Sequence, residues 1–352
     1  MCSSSTGALE GHSTHFRCGR LDLHLPLDQP AEGLQMAHSF EHIPVLRDEV
    51  VSLFAPVPPG VVVDATVGGG GHAEALLDAY REMRVVGLDR DPAALAAARA
   101  RLSSFGDRIT LVRSPFSALE SVLEEIGLGP GGEALAGVLF DLGVSSPQLD
   151  VPERGFSFRS DGPLDMRMDP SAPVTAADLV NQMPEDALAA LFRENGEGRL
   201  GGRIARAVVG ARPLSSTGQL AEVVASAVPA AARRRGHPAR RVFQALRIAV
   251  NDELGQLAAA LPAALSRLSV GAVCAVISYH SGEDRFVKGV FADAATGGCV
   301  CPPGLPCVCG AVPRHSLVFR GSRKPSAAEV AANRRAEAAR LRAIVRTEAD
   351  PD

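Results

Sequence analysis

The 352-residue chain has no uninterrupted apolar run near the roughly 20 residues a membrane span needs, so no membrane association is expected. It has no basic excess either: 36 Lys and Arg stand against 40 Asp and Glu, a net charge of −4. Whole-chain charge therefore gives no sign of a nucleic-acid partner. Arginine gathers in the second half, however, and a negative chain can still present a basic face. The seven cysteines are an odd number and no secretory signal accompanies them, which argues against a disulfide scaffold. There is no internal repeat. Residues 1–36 lack periodicity, yet they carry Glu10, Asp22, Asp28 and Glu32. Transit peptides avoid acids, so a disordered tail is expected there, with Met36 a plausible start. A composition 46% hydrophobic and 22% charged then reads as a soluble, cytoplasmic, globular protein.

The most informative segment runs from Val61-Val62-Val63-Asp64 through Ala65-Thr66-Val67 to Gly68-Gly69-Gly70-Gly71-His72. An apolar run ends in an acid, four glycines follow, and a helical pattern begins at Ala73. That is a strand, a tight loop and a helix N-terminus, where unpaired N–H groups and a positive dipole end face outward. Such a loop suits a nucleotide-like cofactor. Further strands are expected at 85–88, 109–112 and 137–141 (GVLFD), with helices at 45–54 and from Pro92. The alternation predicts an α/β fold: a parallel, doubly wound sheet with its ligand at the carboxyl ends of the strands. From about 150 to 237 the pattern becomes helical, at 177–180, 185–192, 203–209 and 220–227. This is expected to be an inserted all-α domain. A long helix over 239–266 and a strand at 272–277 (AVCAVI) return the chain to the sheet, so the first domain is discontinuous. Residues 317–319 read as a late edge strand, and the tail from Ser326 as helical and arginine-rich.

Asp89 ends the second strand about 20 residues past the glycine loop, where a carboxylate can accept from both hydroxyls of a ribose. Asp91, directly before Pro92, is the better helix cap. The glycine loop also fits the dinucleotide pattern G-x-G-x-x-A, a weak match alone. Against NAD, Asp64 stands before the loop, where it could receive a cationic amine. Phe116 could pack on an adenine or belong to the core. Asp141 leads into Leu142-Gly143-Val144-Ser145-Ser146-Pro147-Gln148. A short polar residue and a proline in a rigid turn can orient an exocyclic amine toward a methyl donor, so Asp141, Ser145, Ser146 and Pro147 are the candidate catalytic turn. An ordinary strand-to-helix loop is the plainer alternative.

Longer segments go further. HIPVLRDEV (42–50), DATVGGGGH (64–72), GLDRDP (87–92), DLGVSSPQLDVPERGFSFRSDGPLDMRMD (141–169), HPARRVFQALRIAVNDEL (237–254) and SYHSGEDRFVK (278–288) stand in one order. Together they closely resemble the RsmH (MraW) family of S-adenosylmethionine-dependent rRNA cytosine-N4 methyltransferases, from about residue 42 to 346. The resemblance implies a class I, Rossmann-like methyltransferase sheet over 37–149 and 238–352, with the helical insert at 150–237 as the RNA domain. It also implies S-adenosylmethionine as cofactor, a decoding-centre cytidine of 16S rRNA as substrate, and 16S rRNA or the small ribosomal subunit as partner. Carried over by position, the cofactor contacts are Gly70, Gly71, His72, Asp89, Phe116, Asp141 and Gln148. The chain departs from the family pattern at Tyr279 (phenylalanine), Gly282 (leucine), the glycine-rich 195–202 and Asn333-Arg334-Arg335, which lacks a proline. A methyltransferase acting on DNA or protein amino groups, or an RNA-binding assembly factor, are the alternatives.

Within 239–254, Val242, Leu246, Val250 and Leu254 form a core stripe, and Arg240, Gln244, Arg247 and Asn251 a polar one suited to an RNA or active-site cleft. His280 follows the last core strand and could shape the base pocket; a capping role for Ser281 with Asp284 competes. Arg233-Arg234-Arg235 with Arg240-Arg241, and Arg334, Arg335, Arg340 and Arg342, are candidate phosphate contacts or solvated surface. Cys299, Cys301, Cys307 and Cys309 could hold a tetrahedral zinc, though C-x-C spacing is less usual than C-x-x-C and a reduced cysteine loop is the simpler reading.

Overall fold

The computed structural model describes residues 43–129, 131–230, 237–302 and 308–347. The tail at 1–36, Arg233–Arg235 and Cys307 lie outside them. Helix α1 (Arg47–Phe54) precedes β1 (Val61–Asp64), then α2 (Gly71–Ala79), β2 (Arg84–Asp89), α3 (Pro92–Arg101), β3 (Ile109–Arg113), α4 (Leu119–Glu125) and β4 (Leu135–Asp141). These strands and β5 (Val273–Ser278) pair in parallel; β6 (His315–Leu317) and β7 (Arg340–Arg346) add antiparallel strands. The order β3-β2-β1-β4-β5-β7-β6 is that of the class I methyltransferase sheet.

Strands β1 and β5 are buried along their whole length, as parallel strands covered on both faces must be. Alternate residues face opposite layers. Val61 and Val63 join a cluster with Leu119, Leu123, Leu257, Leu261 and Phe291, whereas Val62 joins Phe54, Leu76, Leu95 and Ala98 on the other side. The parallel direction then places Asp64, Asp89, Asp141 and Ser278 at one edge.

After the short α5 (Ser146–Asp150) come α6 (Ala176–Gln182), α7 (Glu185–Phe192), α8 (Gly201–Gly210) and α9 (Thr217–Ala227). They carry a third hydrophobic cluster, with Phe156, Leu188, Phe192, Ile204, Val208, Leu220 and Val224 inside it. That cluster continues into Ala239–Leu246, and Val144 and Leu149 of the Ser-Ser-Pro turn pack on it. The described residues from 43 onward belong to one compact unit.

Three expectations need correction. The long helix over 239–266 is two helices, α10 (Ala239–Asn251) and α11 (Glu253–Arg267), separated by Asp252 in the left-handed region at φ 47°. The Asn251 carbonyl left over at the break accepts Gln256 Nε2 at 2.7 Å and Arg90 Nη1 at 3.0 Å, so the interruption is satisfied rather than frayed. The tail is not helical throughout. After α12 (Ser281–Thr296) and β6, helix α13 (Ala327–Ala332) and a short 3-10 turn lead into β7. Leu341, Ala343 and Ile344 are buried on β7, which covers the otherwise open edge of β5. The late edge strand lies at His315–Leu317, two residues before its expected place.

Candidate active site

Three carboxylates from three strand ends meet the start of α2. Asp64 is almost wholly buried, and the Thr66 N–H donates to its Oδ1 at 3.2 Å. Burial raises its pKa to about 7; the His72 charge and the Thr66 N–H oppose that rise, and Asp141 and Asp89 add to it. His72, in the first turn of α2, is also buried. Its Nε2 lies 3.5 Å from Asp141 Oδ2, and neither ring nitrogen has a hydrogen-bond partner among the described residues.

The glycine loop is shaped by its own packing. Gly70 caps α2 at φ 84°, and a Cβ there would meet Leu102 at 3.0 Å. A Cβ on Gly71 would meet Pro44 at 2.8 Å. The two glycines are therefore required by helix packing and backbone conformation. What the loop can offer a ligand is backbone N–H at the helix start.

Asp89 accepts the Gly68 N–H at 2.9 Å and the Asp91 N–H at 2.8 Å, one on each oxygen. Burial raises its pKa, and these two donors pull it back. Each oxygen keeps a lone pair, so the carboxylate can still accept hydroxyls. Asp91 caps α3 through the Ala93 N–H at 3.0 Å. It is also the centre of a buried node: Arg154 Nη1 stands 2.9 Å and Gln148 Nε2 3.0 Å from Asp91 Oδ2. Gln148 Oε1 in turn accepts the Ser145 N–H at 3.0 Å. The Gln148 amide is thus committed to the protein on both sides. Phe116 is half-buried and meets Phe140 edge-to-face, with ring centroids 6.0 Å apart, so it forms part of the core wall.

Asp141 is a quarter exposed. Its N–H donates to Thr66 Oγ1 at 2.6 Å, and the Tyr279 hydroxyl donates to its Oδ1 at 2.8 Å. Burial and the neighbouring Asp141 charge raise the Tyr279 pKa well above its ordinary value, so the phenol keeps its proton. Tyr279 was visible in the sequence only as a departure from phenylalanine; its contact with Asp141 needed the β4–β5 pairing. The hydroxyls of the turn have other work. Ser145 Oγ caps α5 by accepting the Gln148 N–H, with Pro147 in the first turn, and Ser146 Oγ accepts from Arg335 Nη1 at 2.8 Å.

The residues read as RNA contacts divide. Arg240 is exposed and Gln244 half-buried. Arg247 instead makes a two-point ion pair with Glu253, at 2.7 and 2.8 Å. Asn251 is buried, donating to the Met166 carbonyl and accepting the Met168 N–H, both at 2.8 Å. Arg247 thus bridges the break between α10 and α11, and Asn251 ties α10 to the segment at 166–168. His280 caps α12, its Nδ1 accepting from Gly282 and Glu283 N–H groups, so the capping box starts one residue before Ser281. Arg335 is paired with Asp150, and Arg342 with Asp284. Arg340 Nη1 donates to the Ala339 carbonyl at 2.7 Å. The sulfurs of Cys299, Cys301 and Cys309 lie within 4.8 Å of one another.

Sequence reasoning missed the Asp91–Arg154–Gln148 node and Arg90, which donates to the Asn251 carbonyl and to Met168 Sδ. No local pattern announces partners so far apart along the chain.

The sequence model of the MraW methylase family matches residues 39–347. The chain is 52% identical to "Ribosomal RNA small subunit methyltransferase H" of Heliobacterium modesticaldum, over 86% of this chain and 98% of that protein. The protein of the same name from Thermobifida fusca is 51% identical over 87% of this chain and 93% of its own length. Among solved structures, an rRNA methylase from Streptococcus thermophilus aligns over 86% of this chain and 95% of its own, at 13% identity and a TM-score of 0.38. A putative methyltransferase from Streptococcus mutans in complex with SAH gives the same TM-score at 12% identity, over 87% and 99%. With the family match covering most of its length and relatives at half identity, this chain belongs to the MraW methylase family.

Proposed function

We propose that the chain transfers a methyl group from S-adenosylmethionine to N4 of a decoding-centre cytidine in 16S rRNA. The observation that carries this reading is the meeting of Asp64, Asp89 and Asp141 with the start of α2 at one sheet edge. The site fits such a cofactor. A buried carboxyl with a raised pKa calls for a cation, and His72 offers two ring nitrogens without a hydrogen-bond partner among the described residues. The N–H groups of Gly71 and His72 would take the cofactor's carboxylate, and Asp64 its ammonium. Asp89 would accept from the ribose, and Phe116 would line the adenine side. S-adenosylmethionine supplies an electrophilic methyl carbon.

Asp141 then has the central role on the substrate side. With its Oδ1 held by the Tyr279 hydroxyl and its backbone N–H by the Thr66 hydroxyl, Asp141 presents a carboxylate that accepts a hydrogen bond from the exocyclic amine and aims the lone pair. Tyr279 keeps its proton and so remains a donor throughout. No general base is needed, because the methylated amine can lose its proton to water. The base must leave its stack to reach this edge. The helical insert over 150–237, with exposed Arg193, Arg199 and Arg203 and the nearby Arg240 and Arg241, supplies the surface that holds RNA. The relatives' names support small-subunit rRNA as the target. No helix among the described residues is long and apolar enough to cross a membrane, which suits work on ribosomal RNA in the cytoplasm.

The test offers methyl-labelled S-adenosylmethionine with small ribosomal subunits, naked 16S rRNA, DNA and protein. Label should enter rRNA. Label confined to DNA or protein would sink the reading, and tight RNA binding without transfer would favour an assembly factor.

A further inference from the structure

We propose that Cys299, Cys301 and Cys309 bind a structural zinc ion on the opposite edge of the sheet from the methyl-transfer site. Their three sulfurs lie within 4.8 Å of one another, and those of Cys299 and Cys309 are 3.6 Å apart. Zinc–sulfur bonds of about 2.3 Å in a tetrahedron space the sulfurs about 3.8 Å apart, so this separation matches a coordination edge. It is far longer than the about 2.05 Å of a disulfide. The Val308 N–H donates to Cys301 Sγ at 3.4 Å, a contact that favours the thiolate form a metal takes.

The surroundings give the loop a need for such a crosslink. It joins the end of α12 to β6, and among its described residues Val300 is 85% exposed and Val308 89%. Its ends are fixed closely. Gly297, at φ 64°, lies so near the Val312 backbone that a Cβ would stand 2.6 Å from it. His315, which opens β6, pairs with Arg346 beside the first residues of β5. That places the loop at the amino ends of the parallel strands, whereas the three carboxylates lie at the carboxyl ends. An ion here cannot touch the reacting groups. It ties α12 to the antiparallel edge, as a small hydrophobic cluster would elsewhere. The fourth coordination position falls to a donor beyond these three.

The test is metal analysis of the reduced full-length chain purified without chelator. About one zinc per chain is expected. The variants Cys299→Ser, Cys301→Ser and Cys309→Ser should each lose most of it, and Cys18→Ser should keep it. Cobalt(II) added to metal-free wild type should give a sulfur-to-cobalt charge-transfer band that zinc abolishes, a readout that needs no variant to fold. Absence of both zinc and the cobalt band would overturn the proposal. So would iron with sulfide in place of zinc, or retention of zinc by the three variants.

Discussion

At Asp64, burial lifts the carboxyl from its ordinary 3.8 to about 7, and this has a measurable consequence for the empty protein. The group favours the folded state in its protonated form. That stability is complete below pH 4 and is lost as pH rises through about 7. Asp64→Asn keeps an oxygen for the Thr66 N–H but cannot ionise. It should therefore match wild type in denaturant unfolding near pH 4 and exceed it at pH 8, by roughly 2–4 kcal/mol. The same change should weaken S-adenosylmethionine binding, because the cation loses its counter-charge. Equal stability at both pH values would mean that Asp64 is not perturbed. At Asp89 the expectation is simpler. Asp89→Ala removes an acceptor for two hydroxyls, so calorimetric affinity for S-adenosylhomocysteine should fall about 10–100-fold, the value of one or two bonds to a charged group. Unchanged affinity would remove the ribose assignment. Both aspartates were legible in the sequence, because strand ends beside a glycine loop have a predictable place. The roles of Gly70, Gly71, Ser145 and Gln148 were not. The packing against the two glycines and the hydrogen bonds of the Gln148 side chain depend on Pro44, Leu102 and Asp91, which only the folded chain brings near.

Among the elements, the strands and the first helices follow from short-range pattern: apolar runs ending in acids, and Pro92 after a capping aspartate. The errors came where tertiary contacts decide. Helical periodicity runs through 239–266, but the Asn251 side chain and carbonyl are claimed by Met166, Met168, Arg90 and Gln256, and the helix breaks at Asp252. Arg340–Arg346 lies in the tail expected to be helical, yet the bare edge of β5 recruits it as a strand. The Asp91–Arg154 pair joins the second strand's exit to the start of the helical layer, with Asp91 2% exposed. Arg154→Ala leaves that buried carboxylate with only Gln148 and the Ala93 N–H. Unfolding should then cost about 2–4 kcal/mol less, as for other broken buried pairs, and Arg154→Lys should recover part of it. A loss under 0.5 kcal/mol would show that the node carries little of the fold.

For the whole molecule, the central claim is that one sheet edge joins cofactor recognition to the orientation of an amine, with Asp141 between them. The family was legible because its motifs are long and ordered. RNA recognition was not legible residue by residue, since Arg247, Arg335 and Arg342 turned out to be paired within the protein. Charge runs do not reveal whether their partners lie in the same chain. The most direct test is nucleoside analysis of 16S rRNA after reaction with labelled S-adenosylmethionine, comparing wild type with Asp141→Asn. The account predicts label in N4-methylcytidine at a single position, and a rate reduced at least about 100-fold by the substitution, as for loss of a group acting on the transition state. Label on a ring carbon or ribose, or an Asp141→Asn enzyme as fast as wild type, would contradict it.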